Sequence, residues 1–493
     1  MKRNLTAIIA TLSLSAILLA GCNQAASQPP SSSPVNTQVT PSSVPPSPLP
    51  TVENPGTPSA VLQSPLPSKT VAPTAPAVPA LFQSLYNDLQ GYVSNEDKKI
   101  SAGWDGSGYA VNYATELLTA DGNAGPGILQ ASTQQVMIEE LDGERLMGVK
   151  AITVQIGFPV FDPNFYMFTE ETAAQAQQSV QTWLDYYQSV AQAIKSRGLK
   201  MIVESNPMLA LYISSNATFN PGGYYKTLDF NTYQERRSEH NIIIARDIKP
   251  DYLLLQTEPQ TDAVNDYRTE LTNATRDTAM IRKFVTDLES AGIPGLHTTM
   301  QLGSGAGAWQ ADWQAYFSGL VAIPGLDKID THIYNIMPDV NKIGEVAVAM
   351  QVADMAHAAG KGVSMSEFWL HKSTALVGFA EGADSLVDIR ARDMFSFWAP
   401  LDEQFLQMIA KLANYKHFDY ISGFGFFYWF ALTDYNTLKT PPVYPPANST
   451  QNEAIDSQIT IMQNQLAKQA LAKPQLSSTG NAYKAVIMSV PAR

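Results

Sequence analysis

The sequence predicts an α/β fold, a (β/α)8 TIM barrel over residues 83–493, preceded by a disordered Pro/Ser/Thr-rich tether over residues 22–82. Three observations predict it. From about Leu81 onward, short apolar runs alternate with amphipathic stretches, as a βα-repeating fold requires. Two of those runs, Asp251–Glu258 and Lys361–Trp369, turn polar at their carboxyl ends and carry a glutamate there, the end at which such barrels assemble their sites. The stretch 23–80 differs completely: it holds 15 of the 32 prolines among Ser, Thr, Ala and Val, with one Glu and one Lys. That composition cannot bury a core and favours extended, polyproline-like chain.

Taken in order, residues 1–21 read as a targeting segment: Lys2 and Arg3 supply the positive start, and Leu5–Leu19 is an apolar core too short to favour a stable span. Leu19-Ala20-Gly21-Cys22 resembles the bacterial lipobox, which implies that Cys22 becomes a lipidated first residue of an envelope-anchored protein exposed outside the cytoplasm. Cys22 is also the one cysteine, so no intramolecular disulfide is available and the core must stabilise the fold alone. At roughly 3 Å per residue, the tether reaches on the order of 150 Å.

Eight strands are expected in the folded part, at Lys99–Trp104, Gly148–Ile156, Leu199–Glu204, Asp251–Glu258, Leu296–Gln301, Lys328–Tyr334, Lys361–Trp369 and Ile421–Trp429. Helices are expected between them, at about 129–147, 171–197, 231–247, 275–291, 308–321 and 342–359. A long apolar-periodic region follows at 388–417, and a closing helix at 453–472. Gly198 closes its helix as a C-cap would. Pro259 stops the fourth strand, because proline cannot donate to a ladder. No segment suggests a second folded domain.

Composition excludes several classes. Acidic residues number 45 against 32 basic, a net charge of −13, which repels nucleic acid and anionic lipid surfaces. The six histidines are scattered with no pair at zinc-helix spacing, so no metal or other cofactor is expected, although His297 and His332 fall on neighbouring strands. Gly303-Ser304-Gly305-Ala306-Gly307 reads as a glycine-rich loop after strand five, without the lysine of a phosphate cradle.

The two strand-end glutamates suit glycoside hydrolysis, in which one carboxyl protonates the leaving oxygen and the other attacks carbon or activates water. Strands four and seven lie across an eight-stranded barrel, so Glu258 and Glu367 would face each other over its mouth. Here Thr257-Glu258-Pro259 resembles the Asn-Glu-Pro signature of glycoside hydrolase clan A, the retaining barrel enzymes. Ser366-Glu367-Phe368-Trp369 resembles that clan's strand-seven nucleophile, His332-Ile333-Tyr334 its strand six, and Trp429 its strand-eight tryptophan. The resemblance covers about residues 95–435. It implies Glu258 as general acid/base and Glu367 as nucleophile, acting on β-linked sugars of an oligo- or polysaccharide. It further implies that Tyr334 holds Glu367 ionised, that His332 lines the same subsite and that Trp429 floors it. Glu258 would then start protonated and Glu367 charged, with the carboxyls about 5 Å apart. Thr257 stands where the clan usually has an asparagine that meets the sugar 2-hydroxyl, which implies a weaker or water-mediated contact there. Trp369, Trp104 and Asn206 are further candidates to line sugar subsites, Glu204 is a rival third carboxylate, and the aromatic stretch Tyr212–Phe230 is either a carbohydrate platform or a packed lid. The competing reading is a carbohydrate- or solute-binding lipoprotein without catalysis.

Overall fold

The computed structural model describes residues 76–209, 218–334, 343–373, 392–424, 426–438, 465–473 and 475–489. The targeting segment, Cys22, Tyr212 and most of the 453–472 helix lie outside them. Eight parallel strands close into a barrel in sequence order: β1 (Asn112–Glu116), β2 (Ala151–Gln155), β3 (Lys200–Glu204), β4 (Tyr252–Leu254), β5 (Gln301–Gly307), β6 (Lys328–His332), β7 (Gly362–Phe368) and β8 (Tyr420–Gly423), with β8 pairing β1. Helices cover the outside: α1 (Gln83–Gly103), α2 (Ala131–Met147), α3 (Ala173–Ser196), α4 (Phe230–Ile243), α5 (Ala274–Ser290), α6 (Trp313–Val321), α7 (Glu345–Ala358), α8 (Ala399–Tyr415) and α9 (Ser478–Ser489). None of the described helices is long and apolar enough to cross a membrane.

Strands two, three, six and seven fall within their expected runs, since these are short, apolar and bounded by glycine or charge. Strand one does not. Lys99–Trp104 is the end of α1, whose Leu85, Leu89, Val93 and Ile100 recur at helical spacing and are buried. The true β1, Asn-Tyr-Ala-Thr-Glu, reads as polar because Glu116 is buried on the same inward face as Ala114, while Thr115 on the other face bonds Gly423 O and the Trp429 indole. Strand five also lies further on than expected, and the supposed glycine loop is the strand itself. A Cβ on Gly303 would meet Leu254 Cδ2 at 2.5 Å, and one on Gly305 would collide with the backbone carbonyl of Asp330. Close approach of neighbouring strands, rather than a turn, therefore demands glycine here. Strand eight stops at Gly423, and Trp429 sits in a short following helix, Phe426–Phe430. Phe82, which the sequence placed at the end of the tether, is fully buried and packs on Phe397, Trp398 and Tyr435.

Inside the barrel, the lower layer is apolar and plugged. Ala114, Ala151, Ile202, Tyr252, Leu254 and Tyr420 form one buried cluster, with the two tyrosine rings 4.7 Å apart. Beneath it Lys328 pairs with Asp419, which also accepts from the Tyr109 hydroxyl at 3.0 Å. Above this plug, at the strands' carboxyl ends, buried acidic residues and a histidine converge instead.

Candidate active site

Alternation along β6 builds the site. Residues 330, 332 and 334 are two apart, so Asp330, His332 and Tyr334 are presented to one side as the chain climbs toward the mouth. Asp330 is fully buried and accepts from Ser364 Oγ at 2.6 Å, Ser366 N at 3.0 Å and Ser366 Oγ at 2.8 Å, all from β7. The His332 ring stands above it, with Nε2 at 2.8 Å from Ser366 Oγ and 3.3 Å from Asp330 Oδ2. Its other nitrogen, Nδ1, lies 2.8 Å from Glu258 Oε1 and 3.6 Å from Glu367 Oε2. Burial opposes charge on this imidazole, but Glu367, Asp330 and Glu258 outweigh it and push its pKa well above the usual histidine range. Both ring nitrogens thus face oxygen atoms, an arrangement that favours the protonated, cationic ring.

Glu258 is the residue before the short helix Pro259–Asn265, and its Oε2 accepts from Thr261 Oγ1 at 2.7 Å. Glu367, at the end of β7, accepts a short hydrogen bond from the Tyr334 hydroxyl. Tyr334 is fixed in turn by ring stacking on His371 (4.9 Å) and by its backbone N–H to Glu345 Oε2 at 2.7 Å. The two distances from Nδ1, laid end to end, bound the gap between the two carboxyl oxygens near the lower edge of the roughly 6.5–9.5 Å range in which a water fits between catalytic carboxyls. Burial pushes the Glu367 carboxyl above the ordinary glutamate value of 4.5, against the pull of His332 and the Tyr334 hydroxyl. The expectation of a nucleophile that starts charged thus meets a counter-pressure from burial.

Asn206 and Thr257 interlock: the Asn206 amide donates to Thr257 Oγ1 at 2.7 Å and accepts from Thr257 N at 3.0 Å. An amide borrowed from the end of β3 thereby stands beside the position that threonine occupies. Asn206, Glu258, Tyr334 and Glu367 line one cleft, together with Gln155, Leu209, Thr261 and Asp262. Asp262 is pushed up to about 7 by burial, moderated by Arg237 at 3.9 Å and by the Gln256 amide.

The three tryptophans do not join this cleft. Trp429 is fully buried, donates from Nε1 to Thr115 Oγ1 at 3.0 Å and stacks on Tyr483 at 4.8 Å. Trp369 is 1% exposed, stacks on Tyr428 at 4.5 Å and donates to Asp393. Both support the floor from behind. Trp104 is at the other end of the barrel, capping α1 beside a hollow of about 310 Å³ lined by residues of α8 and α9. Of the aromatic stretch, Phe219, Tyr224 and Tyr225 are buried against Phe158, Phe165 and Trp183, a packed arrangement rather than an open platform. His297 precedes β5 and pairs with Asp327 at 3.0 Å, so it does not meet His332.

Sequence reasoning missed Glu116, hidden by the misplaced first strand, and Asp330, whose signal was the alternation Asp-x-His-x-Tyr in an otherwise apolar run. Glu204, His332 and Glu367 offer ligand atoms within 4.8 Å of one another and are the described residues that could hold a metal ion. Both nitrogens of their imidazole are already engaged by Glu258 and Ser366, so a metal there would have to displace one of those contacts.

No family model matches the chain, and no curated protein sequence does. Among solved structures, it is similar to an exo-beta-1,4-mannosidase from Opitutaceae bacterium strain TAV5, at 14% identity over 76% of this chain and 62% of that one, with a TM-score of 0.44. It is similar also to a Cellulomonas fimi endo-beta-1,4-mannanase double mutant (10% identity, 76% and 74% covered, TM-score 0.37) and to Thermotoga maritima Cel5A in complex with mannotriose (10%, 64% and 90%, 0.39). The chain spans less than two thirds of the mannosidase's length. At such identities the likeness concerns the course of the chain alone.

Proposed function

We propose that the protein is a retaining glycoside hydrolase, or transglycosylase, acting on β-linked sugars, with Glu258 as general acid/base and Glu367 as nucleophile. One observation carries the reading: a single imidazolium nitrogen, His332 Nδ1, lies within 2.8 Å of one carboxyl and 3.6 Å of the other at the mouth of a closed barrel. A gap whose upper bound falls at the lower edge of the water-spanning range favours direct attack on an anomeric carbon over attack by an interposed water. The Tyr334 hydroxyl favours the ionised form of Glu367 and aims it, while His332 Nδ1, against Glu258 Oε1, can exchange a proton with the carboxyl that must protonate the leaving oxygen. Glu367 must ionise to attack, and burial raises its pKa, so kcat/KM should fall with decreasing pH at a limb above the ordinary glutamate range. Cys22 as a lipid anchor, with the Pro-rich stretch as spacer, would place this barrel outside the cytoplasm, within reach of envelope or external polysaccharide.

The test is a screen of aryl β-glycosides and β-linked polysaccharides, with Glu258→Gln and Glu367→Gln as controls and the anomeric configuration of the first product read by NMR. Retention, with both variants inactive, is the expected result. Inversion would reassign Glu367. Full binding of an oligosaccharide with no turnover on any substrate would leave the non-catalytic binding protein.

A further inference from the structure

Glu204 ends β3 with its side chain fully buried, and its Oε1 has no hydrogen-bond partner among the described residues. Its Oε2 lies 3.4 Å from the Asn206 amide, a long contact. The carboxyl shares a triangle of within 4.8 Å with the Glu367 carboxyl and a His332 ring nitrogen. From β1, Glu116 faces the same group, both of its oxygens likewise without a partner. Among the described residues one cationic group faces them: His332, whose nitrogens are already engaged by Glu258 and Glu367 on one side and by Ser366 and Asp330 on the other. Carboxylates this close and this dry cannot all ionise around a single positive charge. Glu367 has donors for its ionised form in Tyr334 and His332, whereas Glu204 has an oxygen with none. The proton belongs on the group that lacks donors.

We propose that Glu204 is a positioning residue which stays protonated and donates its O–H to Glu367, so that the nucleophile is held ionised and aimed by a neutral carboxylic acid from β3 as well as by Tyr334 from β6. The proposal rests on the glycosidase reading above. Burial first, and then the charge of Glu367, keep the Glu204 carboxyl well above the usual range, with His332 opposing and Asp330 adding to the shift. Removing the donor leaves Glu367 with one fewer hydrogen bond to its charged form, which raises the pH at which it ionises.

The experiment compares kcat, KM and their pH profiles for the full chain, Glu204→Gln and Glu204→Leu on the aryl β-glycoside that the wild type cleaves, alongside infrared spectra of each with carbon-13-labelled glutamate. Glutamine is also a neutral donor, so Glu204→Gln should keep kcat within about threefold, while Glu204→Leu should lose roughly 10–100-fold in kcat with KM little changed. The acid limb of the leucine variant should move to higher pH. The carbonyl band of protonated carboxylic acids at neutral pH, to which other buried glutamates such as Glu140 also contribute, should lose the intensity of one group in Glu204→Gln relative to the wild type. If Glu204→Gln is as inactive as Glu204→Leu, or the band does not change, the carboxyl is ionised and the proposal falls. It falls also if both variants match the wild type, which would make Glu204 packing alone. Should the wild type cleave no β-glycoside, the band difference still decides the protonation of Glu204, and only the glycosidase reading is lost.

Discussion

The two ends of the barrel obey opposite rules. At the lower end, two tyrosines close the bore, and the buried Lys328 meets Asp419, itself bonded to Tyr109. The buried charge there has its counter-charge. At the upper end, Glu116, Glu204, Glu258, Asp330 and Glu367 gather around one imidazolium, and oxygens of Glu116 and Glu204 stay unpartnered. A fold selected for stability alone would not keep that surplus, because each buried carboxyl without a donor costs free energy. The lower end holds the cylinder together, and the upper end spends part of that stability on chemistry.

This contrast can be broken by mutation. The largest expected effect is at the top: Glu367→Ala should lower kcat/KM on the order of 10⁴-fold or more while leaving the melting temperature unchanged or raised, since a buried acid is removed. A comparable loss of folding would make the residue structural. Next is the mirror experiment below. Asp419→Ala strands Lys328 and frees the Tyr109 hydroxyl, and should cost about 2 kcal/mol in denaturant unfolding with kcat unchanged. Turnover that fell in step with stability would erase the division of labour.

A smaller effect sharpens the comparison by pH. Glu140 on α2 is buried outside the barrel, accepting from the backbone N–H groups of Leu118 and Thr119 at 3.1 Å, and burial raises its pKa to about 8. Its folded value lies above the ordinary 4.5, so the unfolded chain releases this proton first and stability should fall as pH rises between 4.5 and about 8. Glu140→Gln should flatten that slope in thermal melts without moving the pH profile of kcat/KM. A slope that survives the substitution undiminished would assign it to the other buried acids, such as Glu144 beside it on α2. The smallest effect is expected from Trp104→Ala, far from the cleft, which should change kcat/KM by less than about twofold. A tenfold rise in KM for a polysaccharide would return that tryptophan to substrate binding.

What could be read in the sequence divides along the same axis. The barrel, its strand count and the positions of Glu258, His332, Tyr334 and Glu367 were legible, because buried parallel strands are apolar runs and their polar ends stand out against them. The elements misread were those whose composition answers to a neighbour. Asn112–Glu116 looked like loop because it turns polar groups inward, and Gln301–Gly307 looked like loop because adjacent strands leave no room for side chains. The tryptophans were misassigned for a related reason. An indole beside a cleft and an indole behind its wall have the same spacing in one dimension, and only the partners of Trp369 and Trp429, Asp393 and Thr115, tell them apart.

The glycine at position 305 bears on all of this. Any side chain there would strike the carbonyl of Asp330 and press the sixth stave outward, taking the imidazole with it. The aim of the imidazole toward its two acidic neighbours is thus set by a missing methyl group on an adjoining stave, and alanine at that place should misalign the groups of the site without altering one of them.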